Sequence, residues 1–357
     1  MIKASIIGCG TIADSHAALI TKIPGCSLAG VCDTEPLMAK QMAERFGAAR
    51  WFTDVREMLE AIHPGIVHIT TPPLSHFPLG KICLEAGCNI YVEKPFTLNL
   101  PEAKQLISMA ETSNLKVTVG HNLQFSHAAN RMRNLIRNGY LGGPPVHMEG
   151  IYCYDFGDAR YAQAMLGDQN HWVRQLPGRL LHNIISHGIC KITEFINNPS
   201  PMVIAHGYTS PLLQSIGETN IVDEVRVIIH DGDNTSAYFT FSSQMAPKRR
   251  QFRIHGPKNA LFVDDDHQTI IKYQGAKYKS YLDQFLPPLK FAGQYLSNSL
   301  ANISKFIRND FHMNYGMKQL IRRFYDSVEN GGPPPIPYRE ILLTTKIMDE
   351  IFQQVNP

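Results

Sequence analysis

Three groups of residues in this chain have types and spacings suited to chemistry. The first is Gly8-Cys9-Gly10-Thr11-Ile12-Ala13, a Gly-x-Gly-x-x-Ala run entered from the apolar Ile6-Ile7. Gly8 permits a tight turn, Gly10 lets the backbone approach a pyrophosphate, and Ala13 allows a helix to pack close to a strand. A helix opening at Thr11 and Ile12 turns its first amides and its positive dipole end toward phosphate oxygens. The second group is Asp33, 25 positions after Gly8. At the end of a second strand, its carboxylate can bind both hydroxyls of an adenosine ribose and repels a 2′-phosphate. Thr34-Glu35 offers no arginine to accept such a phosphate, so NAD is expected over NADP. The third group is Glu93-Lys94-Pro95, which ends the apolar Ile90-Tyr91-Val92. Ligands of α/β sheets sit outside the carboxyl ends of the strands. A lysine with a pKa of about 10.4 is a poor acid–base catalyst at neutral pH, but burial beside a positive nicotinamide ring would lower that value. Taken alone, a lysine after a strand is a surface residue; the glycine loop and the acid upstream are what make it notable.

The elements that must position these groups follow a clear rhythm. Residues 2–8, 27–32, 66–70, 89–92 and 116–120 are nearly continuous apolar runs, as expected of parallel strands covered on both faces. Helical stretches such as Pro36–Phe46 and Pro101–Thr112 lie between them. The alternation predicts an N-terminal doubly wound Rossmann sheet over 1–121. Thr70-Thr71-Pro72-Pro73 with His76 follows one of these strands and would form an extended loop along the cofactor. From about residue 144 the rhythm changes: 146–154, 224–230, 236–241, 251–255 and 269–273 read as successive strands without long helices between them. That predicts an α+β domain over 122–357 with a largely antiparallel, open-faced sheet. Pro333-Pro334-Pro335 leads to a final helix over 338–354, which is free to pack back near the first domain.

Bulk properties exclude several classes. The chain has 357 residues, 44% hydrophobic and 18% charged, with a net charge of +3. This length supports two domains with proper cores, and the charge makes no case for nucleic acid. Lys248-Arg249-Arg250 is best read as a solvated strand edge. Seven scattered cysteines without a Cys-x-x-Cys pair argue for a reducing compartment and against a metal site or a disulfide framework. The N-terminus enters the first strand directly and no run of about 18 apolar residues occurs, so a cytoplasmic location without a membrane span is expected. After Pro287-Pro288, one helical face carries Leu289, Leu296, Leu300, Ile303 and Ile307 and the other Lys290, Gln294, Asn298 and Asn302. That segment, 289–308, reads as a helix covering the domain or forming a subunit contact. The alternative is a basic amphipathic helix resting on a membrane surface.

The opening fingerprint, Thr71-Pro72-Pro73 with His76, the run Ala86 to Pro95, and Gly139-Tyr140-Leu141-Gly142 together resemble the Gfo/Idh/MocA family of glucose–fructose oxidoreductase and inositol dehydrogenase relatives. The resemblance implies hydride transfer between NAD and a carbinol carbon of a sugar or cyclitol, in a homo-dimer or homo-tetramer. It also implies that Asn122 contacts the cofactor. The family's second block usually reads Gly-Gly-x-Leu-x-Asp-x-Gly-x-His, and here it is Gly178-Arg179-Leu180-Leu181-His182-Asn183-Ile184-Ile185-Ser186-His187. His187 matches the family histidine that works with Lys94 on the substrate hydroxyl. Asn183 stands where an aspartate is commoner, as in members acting on nucleotide-linked sugars. Gln124 replaces a frequent arginine and Arg179 a glycine; both are expected at the substrate, together with His171 and Trp172. Two other activities fit the same scaffold: a non-catalytic NAD(P)-sensing protein, and an NAD-dependent glycosidase or eliminase that oxidises its substrate transiently.

Overall fold

The computed structural model describes residues 1–154, 162–163, 166–232, 234–275, 278, 281–312 and 314–355. Two compact units result, one of Met1–His121 with Met317–Lys346, the other of Asn122–Gly316 with Ile347–Pro357.

The first unit alternates β1 (Ile2–Ile7), α1 (Thr11–Ile20), β2 (Cys26–Cys32), α2 (Pro36–Phe46), β3 (Arg50–Phe52), α3 (Val55–Ile62), β4 (Ile66–Ile69), α4 (His76–Glu85), β5 (Asn89–Val92), α5 (Leu100–Thr112) and β6 (Val117–Val119). The six strands are parallel in the order β3-β2-β1-β4-β5-β6, so the winding reverses between β1 and β4. β4 and the last three residues of β5 are buried throughout, which is why their sequences show no alternation. Helix ends are set locally: Asp54 caps α3 by accepting from the Glu57 amide at 2.8 Å, and Asn99 caps α5 by accepting from the Glu102 amide at 3.0 Å. β3 escaped the sequence reading because its three residues are two exposed and one buried, too short to show a period.

The second unit holds a seven-stranded sheet in the order β13-β12-β11-β7-β10-β9-β8. Its strands are β7 (His147–Cys153), β8 (Met202–Tyr208), β9 (Glu224–His230), β10 (Ser236–Ser242), β11 (Arg250–His255), β12 (Asn259–Asp264) and β13 (Thr269–Gln274). Only the β7–β10 pair is parallel. β8 and β12 were not expected. After α7 (Arg179–Ile184), the helix α8 (Ser186–Thr193) covers one sheet face, packing on β7 and β10. A Cβ on Gly188 of α8 would lie 2.2 Å from the Phe239 ring of β10, so the helix rests on the sheet only because this side chain is absent. The opposite face exposes Ile204, Ile228 and Tyr238.

The unit also contains α6 (His127–Arg137), α9 (Pro211–Ser215) and α10 (Leu282–Ile307). α10 runs through Pro287 and Pro288, whereas interior prolines predicted a start after them. Two last helices follow, α11 (Tyr315–Asn330) and α12 (Tyr338–Val355). The stretch Met317–Lys346 belongs to the first unit, not to a continuous second domain over 122–357. Its ties are visible: the Tyr325 hydroxyl meets His68 Nε2 at 3.0 Å, Lys116 donates to the Ser327 carbonyl, and the Val117 amide donates to the Tyr338 hydroxyl at 3.2 Å.

Candidate functional site

In the first unit the expected residues gather at the carboxyl ends of β1, β2, β4 and β5, around the point where strand order reverses. Gly8 follows β1 with φ at 91°, and a Cβ there would lie 2.6 Å from Thr71 Cγ2 and 2.8 Å from Thr71 N. Only glycine allows this closeness of the two loops. Gly10 caps α1 without any side-chain hydrogen bond, and a Cβ on it would meet nothing within 4 Å. The first turn of α1, with Thr11 and the exposed Ile12, therefore opens onto space. Asp33 lies just after β2. Its Oδ2 accepts from the Cys9 amide at 2.6 Å and its Oδ1 from the Glu35 amide at 2.9 Å. These bonds fix the carboxylate against the glycine loop and leave a lone pair on each oxygen. Burial, with Asp33 nearby, pushes the Cys9 thiol up to about 12, so it stays protonated. A bare glycine, an uncapped helix start and an oriented acid fit a dinucleotide: α1 would hold the pyrophosphate and Asp33 the adenosine ribose.

The loop after β4 is held by side chains. Thr70 Oγ1 donates to the Gly8 carbonyl at 2.6 Å, and Ser75 Oγ donates to Thr71 Oγ1 at 2.6 Å. Pro72 opens a single turn of 3-10 helix over Pro73–Ser75. His76 is fully buried, with Nδ1 2.8 Å from the Pro95 carbonyl and Nε2 2.9 Å from the Thr71 carbonyl. His76 brackets the loops after β4 and β5, since both ring nitrogens face backbone oxygens. Burial lowers its pKa even though only the imidazolium could donate to both carbonyls.

Glu93 is also turned inward. Its Oε1 is 3.0 Å from His16 Nε2 and its Oε2 accepts from the Lys94 amide at 3.2 Å. These bonds place the carboxylate under the loop that carries Lys94. Burial alone would raise its pKa, but the His16 bond and the Lys94 charge hold it below the usual carboxylate range. The chain of contacts continues: His16 Nδ1 meets His68 Nδ1 at 2.8 Å, and His68 Nε2 meets the Tyr325 hydroxyl. Lys94 sits at the outer end of this buried relay and is partly accessible. Burial lowers its pKa and the Glu93 carboxylate pulls it back up. His121, just after β6, is buried and its pKa falls to about 4, chiefly through burial.

In the second unit Asn183 and His187 are four residues apart on the nearly continuous run of α7 and α8, so they share one face. The His187 ring stacks on Tyr152 of β7, centroids 5.6 Å apart. Burial raises the Tyr152 pKa to about 12, which keeps its hydroxyl protonated. One turn beyond His187, Lys191 forms a buried ion pair with Asp265. Gln124 is buried and donates through Nε2 to the Cys190 carbonyl at 3.0 Å. It braces the helix that carries His187. Asn122 opens the same short 3-10 turn, Asn122–Phe125. Arg179 begins α7 with φ at 46° and donates to the Asn220 carbonyl. Before it, a Cβ on Gly178 would lie 2.3 Å from the Phe352 ring. His171 caps the turn Trp172–Gln175, and Trp172 tilts against it at 5.4 Å between centroids. Among the described residues no His, Cys, Asp and Glu cluster could hold a metal ion, and no helix is long and apolar enough to cross a membrane.

The profile of an oxidoreductase family described as having an NAD-binding Rossmann fold matches residues 2–121. The scyllo-inositol 2-dehydrogenase (NAD(+)) of Bacillus subtilis is 34% identical over 308 residues, 78% of this chain and 79% of that protein. The chain belongs to the Gfo/Idh/MocA family. Another member, the D-glucoside 3-dehydrogenase of Escherichia coli, is 29% identical over 40% of each chain. Three curated relatives, that one included, are matched over only 38–44% of their own length. Among solved structures, the WlbA dehydrogenase of Bordetella pertussis, in complex with NADH and UDP-GlcNAcA, superposes with a TM-score of 0.77. It covers 99% of this chain and 95% of its own at 16% identity, which shows a shared fold.

Sequence reasoning missed His16, His68 and His121 in this Gfo/Idh/MocA protein. Signals existed: His68 interrupts an otherwise aliphatic strand, His16 falls on the buried face of α1, and His121 follows closely on the strand beside β5. Tyr152, Lys191 and Asp265 left no local signal, because each is defined by a partner remote in sequence.

Proposed function

We propose that this chain is an NAD-dependent dehydrogenase acting on a carbinol carbon of a sugar or sugar derivative, with a nucleotide-linked sugar as the favoured class. The observation that carries the reading is Lys94. Its amine has a lowered pKa at the carboxyl edge of a dinucleotide-binding sheet, on a loop anchored by the Glu93–His16–His68–Tyr325 relay. Relatives named as inositol and glucoside dehydrogenases support a polyol substrate. Asn183 and the neighbour crystallised with UDP-GlcNAcA favour a nucleotide sugar.

The bound nicotinamide supplies the hydride acceptor. Lys94 Nζ donates a hydrogen bond to the carbinol oxygen and stabilises developing negative charge there. His187 Nδ1 is buried, so the hydroxyl proton passes to Nε2. Asn183 orients a neighbouring hydroxyl and cannot take its proton. The Arg179 guanidinium and the Trp172 ring serve the anionic or aromatic part of a nucleotide sugar. Asp33 favours NAD over NADP. The open sheet face, with Ile204, Ile228 and Tyr238, is the surface we assign to homo-oligomer formation. Seven free cysteines suit a reducing compartment, and we assign the cytoplasm.

The test is growth of reduced-cofactor absorbance with nucleotide sugars, free sugars and cyclitols. Replacing Lys94 with Ala should lower turnover by about 10²–10⁴-fold while NAD affinity stays within a few-fold. An unchanged rate removes Lys94 from the mechanism. If Lys94→Ala and His187→Ala are fully additive, the two side chains do not act on one oxygen. NAD binding without turnover of any of these substrates points to a sensing protein, and substrate cleavage or elimination without net reduction to transient oxidation.

A further inference from the structure

Four buried side chains from four parts of the first unit form one line: Tyr325 of α11, His68 of β4, His16 of α1 and Glu93 just after β5. None is more than 7% exposed, so their partners come from within the protein. Proton counting fixes the direction of the line. The ionised Glu93 carboxylate can only accept, so His16 Nε2, 3.0 Å away, carries a proton. With one proton on its ring, His16 accepts at Nδ1, and the proton in the 2.8 Å contact belongs to His68 Nδ1. Burial holds the His68 pKa well below its ordinary value, so His68 is neutral and its Nε2 accepts from the Tyr325 hydroxyl at 3.0 Å. Burial also keeps the Tyr325 phenol protonated, and the Cys26 thiol hydrogen-bonds the same hydroxyl. Every donor in the line therefore points toward Glu93.

Packing leaves tautomer exchange as the way this line can change. The Tyr91 ring stacks on His68 at 4.9 Å between centroids and stands edge-on to His16 at 5.1 Å, which holds both imidazoles in place. The Tyr325 hydroxyl selects the tautomers. Without it, the proton of His68 is free to move to Nε2, and Nδ1 then becomes an acceptor. His16 would have to donate from Nδ1, turning the lone pair of its Nε2 toward the Glu93 carboxylate. The anion under the Lys94 loop would lose its inner support. The other titratable groups that act on Glu93 are Lys94 itself, Tyr91 of β5, His76 of α4 and His121 after β6. Burial keeps the Tyr91 phenol protonated and both of these imidazoles neutral, so none of the three changes charge from neutral pH upward as Lys94 titrates.

We propose that Tyr325 is a positioning residue for Lys94, acting through His68 and His16 to hold Glu93 as an anion beneath the loop that carries the amine. The proposal rests on the dehydrogenase reading, but two of its three measurements need no substrate. In nitrogen NMR of ring-labelled histidine near neutral pH, the full-length protein should show His68 protonated at Nδ1 and His16 at Nε2. Tyr325→Phe keeps the aromatic ring and should show a mixture of tautomers at His68. In the same variant the Lys94 amine, followed by NMR of labelled lysine, should lose its proton at lower pH. A carboxylate without its His16 donor binds protons more readily and supports the ammonium less. With substrate, kcat should fall by about tenfold or more and its alkaline limb should move to lower pH, while KM and NAD affinity stay within about twofold. Three results each overturn the proposal. One is His68 protonated at Nε2 in the wild type, and another is a kcat that Tyr325→Phe leaves intact. The third is a Lys94 titration unchanged in the variant even where stability falls, which would make Tyr325 a packing residue only. A wild type with the expected tautomers and a Lys94 titration that responds to Tyr325→Phe, but with no turnover of any substrate, would sink the dehydrogenase reading and uphold the relay.

Discussion

At the carboxyl edge of the parallel sheet, the groups suited to a ligand are mostly backbone: the amides of α1 and the bare approach at Gly8. On the run from Arg179 to Thr193 they are side chains on helices, and their setting comes from residues far away in sequence. Gln124 grips the Cys190 carbonyl, Tyr152 stacks on His187, and Asp265 pairs with Lys191. A backbone site is encoded where it stands, since glycine and turn chemistry are local. A side-chain site on a helix is encoded by whatever the helix packs on. The two should therefore fail differently when altered: the first through ligand affinity and loop strain, the second through stability of its support.

The largest expected effect tests the second region. Lys191→Met leaves Asp265 as an uncompensated buried carboxylate, which should cost about 3–5 kcal/mol in chemical denaturation. A loss under about 1 kcal/mol would mean that this pair does not hold the helix under His187. Next comes Gly8→Ala, which places a Cβ 2.6 Å from Thr71 at a φ of 91°. It should cost about 2–4 kcal/mol and abolish NAD binding in a fluorescence titration. Normal binding would show that the loop does not carry the phosphates.

pH sharpens the comparison, because His121 is buried in the first unit with a folded pKa of about 4 against 6.5. Between those values the unfolded chain binds more protons than the folded one. Stability is therefore complete above pH 6.5 and declines as pH falls toward 4, by up to about 3 kcal/mol from this residue. His121→Gln should flatten that decline; an unaltered slope would assign it to other groups. The smallest effect is at Arg179, held at a φ of 46° that favours glycine. Arg179→Gly should raise stability by about 0.5–1 kcal/mol, strain relief exceeding the added chain entropy. It should also raise KM for a nucleotide sugar and not for a free cyclitol, and equal effects on both would deny the guanidinium a role in recognition.

The parallel strands were legible because double burial leaves uninterrupted apolar runs, and β3 was not because three residues carry no period. Glu93, His76 and Gln124 brace loops and a helix, contacts that the sequence did not show. Residue type and position place a polar side chain at a strand end, yet its rotamer depends on neighbours supplied by other elements. Amphipathicity of α10 was plain in the sequence, but periodicity alone does not say which face docks. The edge of β13 decided that, because its outward amides and carbonyls demanded amide side chains more than the leucines demanded cover.

By itself, the sequence determined the strand–helix alternation, the glycine loop, the acid after β2 and the lysine after β5, all of which are local or periodic properties. Only the tertiary structure decided that Met317–Lys346 joins the first unit, that a buried relay runs from Glu93 to Tyr325, and that an apolar helix face stays uncovered. The reason is physical: hydrogen-bond satisfaction and burial are settled between residues that the chain separates and the fold brings together.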